Sequence, residues 1–365
     1  MLKKIKNLIG IFSSVYYYKK RSIKLPYLPN AIWIEPTNVC NLKCIMCPNS
    51  IIQNSNPGFM DLNLYKKIID EAEDFVSYAV LCLSGESLLN KNFPEMVDYA
   101  KRHGIYTYLS TNATLLTPKI SRQIIQAGLN WINFSFDGVS REIYEKIRVN
   151  ADFEKTVDNI INFLKIKKEL NADVQAELQI MIMDKKGEDD FKNNKEDFFK
   201  KFEGLPLDGF QVRKPSTWGG FLAGTDKYTP IEYEKSGRYS PCSYLWGSLH
   251  ILWDGRIVAC TSDFFGDNIF GKFPEKTLKE IWNGELMCNF RKAMVDGTYL
   301  EFNKNCKDCD AIWEKKILGL PCGLRGICAI TFSNIFGRKF LIWFKNLAKY
   351  FNHKFAMEMI SIKKK

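Results

Sequence analysis

Short apolar runs alternate with longer amphipathic stretches from residue 31 to about residue 212. The segments 31–35, 78–83, 105–109, 131–136, 178–183 and 209–212 read as strands, and 64–75, 93–103, 118–127, 153–170 and 188–202 carry helical spacing. Such alternation predicts right-handed βαβ units and a parallel sheet, because a parallel neighbour is reached only through a crossover connection. Ser140 and Asp152 stand where helix caps belong, and Gly104 and Gly128 stand where helices stop. The pattern amounts to six βα units, whose chemistry belongs at the carboxyl ends of the strands.

Just past the first strand, the run Cys40-Asn41-Leu42-Lys43-Cys44-Ile45-Met46-Cys47-Pro48 puts three cysteines on one loop. Three thiolates so placed can reach three irons of a four-iron, four-sulfur cubane, which ordinarily takes four protein ligands. One iron is then left for a small molecule. Zinc competes for close thiolates, but a structural zinc site closes its tetrahedron with a further cysteine or histidine pair. None of the three histidines, His103, His250 and His353, accompanies this triplet. A disulfide framework belongs to small secreted folds and does not suit 365 residues with 11 cysteines.

Further segments follow in order. They are Leu83-Ser84-Gly85-Glu86-Ser87, Ser110-Thr111-Asn112-Ala113, and Ser135-Phe136-Asp137-Gly138 trailed by Tyr144 and Arg148. Together with the cysteine loop they resemble the signatures of the radical S-adenosylmethionine (SAM) superfamily, with Ser87 in place of a proline and Ala113 in place of a glycine. The resemblance implies a partial (β/α)6 TIM-like barrel over residues 31–225. It also implies a [4Fe-4S] cluster on Cys40, Cys44 and Cys47, with SAM chelated at the open iron and cleaved to a 5′-deoxyadenosyl radical. Glu86 would accept from the methionine amino group, a charge-assisted bond. Asn112, Ser135 and Arg148 would meet ribose hydroxyls and the carboxylate, and Met46 and Met181 or Met183 would lie near adenine. Taken singly, Glu86 is also a solvated loop carboxylate, Asn112 a turn residue, Arg148 a surface charge and the methionines plain core.

A second cysteine set follows. Asp254-Gly255 reads as the turn of a β-hairpin that would bring Cys260 back towards Cys242, and a helix-like stretch at 277–282 precedes the pair Cys306 and Cys309. Four thiolates can ligate a whole cluster, or a zinc ion. The arrangement resembles the SPASM/twitch extension of some radical SAM enzymes, placed here at 226–315. Lys315 stands where a full SPASM module has a further cysteine, so the resemblance favours the shorter twitch form with one auxiliary [4Fe-4S] cluster; Cys322 and Cys328 keep a second in play. The order of ligands is similar to that of the aminocyclitol (2-deoxy-scyllo-inosamine) dehydrogenases. Cys82 lies within an apolar run and reads as a small buried hydrophobe.

The net charge of +11 is uneven. A basic amphipathic extension covers residues 1–30, and basic amphipathic helices are expected over 316–365, ending in Lys363-Lys364-Lys365. Such segments fit an anionic membrane surface, and they equally fit helices packed on the barrel with solvated lysines. No run reaches the ~20 apolar residues of a membrane span. Nucleic acid is a poorer match, for want of stacking platforms or a binding motif. This many thiols point to the cytoplasm, with a membrane-peripheral position as the variant, and cluster chemistry points to anaerobic life.

An auxiliary cluster beside the substrate suits oxidation, so dehydrogenation of a sugar, cyclitol or related carbon is the leading expectation, fed by a low-potential donor such as flavodoxin or ferredoxin. Epimerisation with a thiol hydrogen donor such as Cys322 or Cys328, peptide maturation, and a metal-binding protein without turnover are the rivals. Only about thirty residues precede the barrel, whereas peptide maturases often carry a leader-binding domain there. Gln179 on the fifth strand and Arg213, Lys214 and Trp218 after the sixth are the candidate substrate contacts, with ordinary barrel lining as the alternative.

Overall fold

A computed structural model describes residues 2–51, 56–218, 238–313, 316 and 319–336. In chain order these form α1 (Leu2–Lys19), β1 (Ala31–Ile34), α2 (Pro48–Ile51), α3 (Leu62–Ala72), β2 (Tyr78–Val80), α4 (Phe93–Arg102), β3 (Tyr106–Thr111), α5 (Pro118–Gln126), β4 (Trp131–Ser135), α6 (Arg141–Ile147) and α7 (Phe153–Glu169). There follow β5 (Gln175–Met181), α8 (Lys185–Lys200), β6 (Gly209–Arg213), α9 (Tyr244–Gly247), β7 (Ser248–Ile251), β8 (Arg256–Val258), β9 (Ile269–Lys272), α10 (Leu278–Trp282), α11 (Glu285–Asp296) and α12 (Cys322–Phe336). The expected caps form: the Ser140 hydroxyl accepts from Ile143 N and the Asp152 carboxylate from Lys155 N. Gly104 and Gly128 follow α4 and α5 at φ +65° and +85°.

The strands make one sheet in the order β6-β5-β4-β3-β2-β1-β7-β8-β9. Five helical crossovers link the six strands of the parallel run β1 to β6, the partial barrel expected from the alternation. The hairpin extends this sheet, because β7 pairs parallel with β1, and β8 pairs antiparallel with both β7 and β9. The second cysteine module is therefore joined to the barrel edge by backbone hydrogen bonds.

Alternate strand residues face opposite sides. Ile32, Ala79, Leu109, Ile132, Phe134, Leu178 and Ile180 face the helices and pack with Ile68, Val97, Ile124, Ile160 and Phe163. On the other face Trp33, Tyr78, Val80, Tyr106, Tyr108 and Trp131 pack against Ile327, Ala329 and Ile330 of α12. Thr331 of the same helix shares a 2.8 Å hydroxyl contact with Ser77, at the start of β2. α12 thus fills the concave side of the barrel at the amino ends of its strands. It differs from the amphipathic helix expected there, being apolar around most of its circumference with Arg325 as its one charge, the composition of a helix buried on all sides. Residues 337–365, where the basic C-terminal pattern falls, and Lys315 lie outside the described residues.

Candidate metal centres

The first cysteine loop leaves β1 and is held by backbone bonds to the end of α6, Lys43 N to Val149 O and Ile45 N to Ile147 O, each 3.0 Å. Leu42, Cys44 and Met46 pack with Ile143, Ile147 and Met183, and Met181 and Trp218 border this cluster. Gly85 lets the next loop approach, since a Cβ there would lie 2.3 Å from Thr37 O and 2.6 Å from Val39 O. Burial pushes the Cys40 thiol up to about 11 and Cys44 up to about 12, and raises Cys47. Ionising such thiols takes a bound cation, so the donor set fits a metal cluster that forms with release of protons.

Glu86 is 3% exposed beside this loop. Its oxygens accept from Thr111 Oγ1 and Asn112 N at 2.8 Å and from Leu88 N at 3.2 Å. Burial raises its carboxyl despite those bonds. Three donors leave lone-pair capacity for one more, as an ammonium requires. Asn112 has its amide in use: Nδ2 donates to Asn41 Oδ1 at 3.0 Å, and Oδ1 accepts from Thr114 N and Oγ1 at 3.0 and 2.7 Å. It ties the cysteine loop to the end of β3. Ala113 follows at φ +61°, the left-handed region that favours glycine. Ser135 Oγ lies 3.1 Å from Ser110 Oγ on the neighbouring strand.

Arg148 caps α6 and turns inward. Its Nη2 donates to Asp137 Oδ2 at 2.6 Å, its Nη1 stands 4.0 Å from Cys44 Sγ, and its Nε is buried without a partner among the described residues. Asp137 also accepts from Met181 N at 3.1 Å. Burial opposes the Arg148 charge, yet Asp137 and then Cys44 outweigh it and raise its pKa. If Cys44 held a cluster iron, this cation and the N–H without a partner beside it would suit a carboxylate bound there.

Glu35 escaped the sequence reading. Fully buried at the end of β1, it accepts from Ser84 Oγ and from Trp253 N, tying the first strand to the second loop and to the hairpin turn. Burial pushes its carboxyl up to about 7. A carboxylate closing an apolar strand was the only signal for it.

In the second module Cys242 precedes α9, Cys260 follows β8, and Cys306 and Cys309 lie on one turn with Cys309 N bonded to Cys306 O. Burial pushes Cys260 up to about 11 and raises Cys306 and Cys309 further. Cys260 and Cys309 act electrostatically on Cys306, and Cys242 and Cys260 on Cys309, so the four lie within electrostatic reach of one another. Among the described residues no three histidine, cysteine or acidic side chains come close enough to hold a single metal ion. Cys288 lies apart with Sγ 3.5 Å from Asn283 O, Cys328 is buried in α12, and Cys82 faces the barrel interior with Tyr108. Cys322 opens α12.

The inner face becomes polar from β4 to β6. Asn133 Nδ2 donates to Gln179 Oε1 at 3.3 Å, Gln175 and Gln211 donate to the two oxygens of Glu177, and Arg213 Nη2 donates to Gln211 Oε1 at 2.7 Å. Arg213 and Lys214 are exposed at the strand end. Trp218, at φ +49°, borders the first cysteine loop and faces Phe264 of the second module at 5.6 Å. Thr217 Oγ1 accepts from Asp310 N, next to Cys309.

The family model of the radical SAM superfamily matches residues 34–197, and that of an iron–sulfur cluster-binding domain, SPASM, matches 242–310. The chain is 24% identical over 317 residues to the tungsten-containing aldehyde ferredoxin oxidoreductase cofactor-modifying protein of Pyrococcus furiosus, covering 76% of this chain and 86% of that one. It is 31% identical over 134 residues to the mycofactocin maturase MftC of Mycobacterium tuberculosis, spanning 37% of this chain and 34% of the relative. The fold is similar to BtrN in complex with AdoMet and 2-DOIA, with a TM-score of 0.52, 17% identity and coverage of 80% of this chain and 98% of that one. It is also similar to Streptococcus suis SuiB bound to its precursor peptide SuiA, with a TM-score of 0.58, 16% identity and coverage of 82% and 74%.

Proposed function

Since the chain belongs to the radical SAM superfamily and carries an iron–sulfur SPASM module on the edge of its barrel, we propose that it is an oxidoreductase that dehydrogenates a carbon of a small polar substrate, a sugar, cyclitol or glycan unit. Cys40, Cys44 and Cys47 would hold the first cluster, and Cys242, Cys260, Cys306 and Cys309 the auxiliary one. With SAM bound, the first cluster supplies a 5′-deoxyadenosyl radical that takes a hydrogen atom.

The remaining work falls to side chains. Glu86, with lone-pair capacity left by Thr111 and Asn112, would hold the ammonium of SAM, and the unpaired Arg148 Nε–H would meet its carboxylate. Ser110 and Ser135 offer hydroxyls to the ribose from adjacent strands. Asn133, Gln179, Gln211 and Arg213 form a wall of amides and a cation that matches a substrate rich in hydroxyls. Trp218 excludes water where the two modules meet.

The observation that carries this reading is the place of Trp218, packed against the apolar cluster that includes Leu42, Cys44 and Met46 and facing Phe264, four residues past Cys260. An oxidation removes two electrons from one carbon, the first with the hydrogen atom and the second to an acceptor while the hydroxyl proton leaves to solvent, so the substrate must lie within reach of both centres. A low-potential protein such as flavodoxin or ferredoxin would restore the electron used for SAM.

The test is anaerobic turnover of the reconstituted protein with SAM, a chemical reductant and a panel of sugars and cyclitols, scored by product mass. A product two hydrogens lighter, lost when Cys306 and Cys309 become alanine while 5′-deoxyadenosine persists, is the expected result. A product of unchanged mass with inverted stereochemistry would replace oxidation by epimerisation. Peptide modification is the second reading, favoured by the mycofactocin maturase relative and by the fold shared with SuiB bound to SuiA. Turnover of peptides but not of sugars in the same assay would establish it.

A further inference from the structure

We propose that α1 docks the protein on an anionic lipid surface. This rests on the outer face of the helix and is independent of the substrate reading. The inner face is fixed: Ile11, Ser14 and Tyr18 are buried, Asn30 Nδ2 donates to Asn7 O at 3.2 Å, and the Tyr18 hydroxyl donates to Pro241 O at 3.0 Å. The helix therefore cannot roll to hide what it shows on the opposite side.

That side carries Ile5, Ile9, Phe12 and Tyr16, exposed by 47, 61, 62 and 52%. The spacing of four, three and four residues sets them in one stripe along the helix. Phe336, at the end of α12, joins the same surface through Phe332, whose ring lies 6.3 Å from Phe12, and through Lys4 Nζ, which donates to Ile335 O. Five of the ten large apolar side chains exposed among the described residues gather here. A concentration of this kind marks an interaction surface.

Charge selects the occupant. Lys4 and Lys6 flank one end of the stripe and Lys19 and Lys20 the other, all exposed. Residues 1–34 hold seven lysines and arginines and no acidic residue, and residues 337–365 hold eight against one glutamate. Those two terminal stretches account for more than the whole net charge of +11, and the chain between them is slightly acidic. Lys6 has Asp74 at 3.8 Å, but both side chains are more than half exposed, which leaves the pair weak. Among the described residues no helix is long and apolar enough to cross a membrane. An apolar stripe bordered by lysines on such a helix lies in the headgroup plane, with the rings below the phosphates and the ammonium groups among them.

The experiment floats the full-length, cluster-loaded protein anaerobically with vesicles of phosphatidylcholine alone or mixed with phosphatidylglycerol. Flotation with the mixed vesicles only, falling as salt rises, is the expected result. Ile9→Glu and Phe12→Glu should each weaken it about tenfold or more, and glutamine at Lys4, Lys6, Lys19 and Lys20 should weaken it roughly fivefold per residue. Unchanged cluster absorbance and SAM cleavage report that each variant is folded, and the lysine set carries the test where a glutamate variant fails to fold. No flotation, equal flotation with neutral vesicles, or flotation indifferent to both sets of substitutions would overturn the proposal. A dimer that forms without vesicles and is lost in Phe12→Glu would overturn it too, by assigning the stripe to a second copy.

Discussion

Trp218 faces Phe264 with ring centroids 5.6 Å apart and planes at 55°. That contact joins loops from two modules. Trp218 also packs on the apolar cluster that includes Cys44 and Met46, and Phe264 lies just past Cys260.

Trp218→Ala should leave SAM cleavage intact and lower the yield of product per 5′-deoxyadenosine by ~10–100-fold, the cost of letting a substrate shift by about an ångström. Trp218→Phe keeps the ring and should retain most of the yield. Chromatographic measurement of both products decides it, and equal coupling in Trp218→Ala and the parent would remove the residue from the substrate space.

Arg148 and Asp137 should move the potential of the first cluster in opposite directions. Reduction adds negative charge beside Cys44, so the guanidinium favours the reduced state and the carboxylate behind it offsets that effect. Arg148→Met is expected to shift the midpoint to more negative values and Asp137→Asn to more positive ones, in a redox titration followed by electron paramagnetic resonance. Shifts of the same sign would mean general loss of packing, since breaking a buried pair costs about 3–5 kcal/mol.

Glu35 makes stability fall as pH rises. Its folded carboxyl titrates at about 7 because of burial, above the ordinary value of 4.5. Between those values the folded state holds a proton that the unfolded chain has released, so the contribution is complete below about 4.5 and is lost as pH rises through 7. Glu35→Gln should therefore gain on the parent by on the order of 1 kcal/mol per pH unit across that window. Thermal melts of both proteins at pH 5 and pH 7 test it; a constant difference in melting temperature would contradict the linkage.

Iron content separates the two centres. Reconstituted protein should hold about eight irons, four per cluster, and Cys306→Ala/Cys309→Ala should hold about four. The doubly substituted protein should still produce 5′-deoxyadenosine. About four irons and one zinc in the parent, measured by elemental analysis, would make the second module a zinc site.

Much of the barrel was legible because its signals are local. Period-two apolar runs, helical spacing, caps at Ser140 and Asp152 and stops at Gly104 and Gly128 each depend on neighbours within a few residues. The cysteine loops were legible for the same reason, as chemistry written in short spacings. Roles that need a distant partner were not. The bond that holds Asn112 to Asn41, on a loop 71 residues away, could not be read from spacing.

The sequence by itself determined the alternating strands and helices, the two groups of thiols and the surplus of positive charge at the ends, since each is a property of composition and short-range order. Only the tertiary structure decided where those parts face. It buried α12 against the concave side of the sheet, because a helix apolar around most of its circumference has no strongly preferred side until a surface is offered. It turned Arg148 from the surface onto Asp137 and Cys44, and it aimed the Ile5, Ile9, Phe12 and Tyr16 stripe of α1 outward. Amphipathic spacing marks the faces of a helix, but contacts such as Tyr18 with Pro241 choose which face is buried.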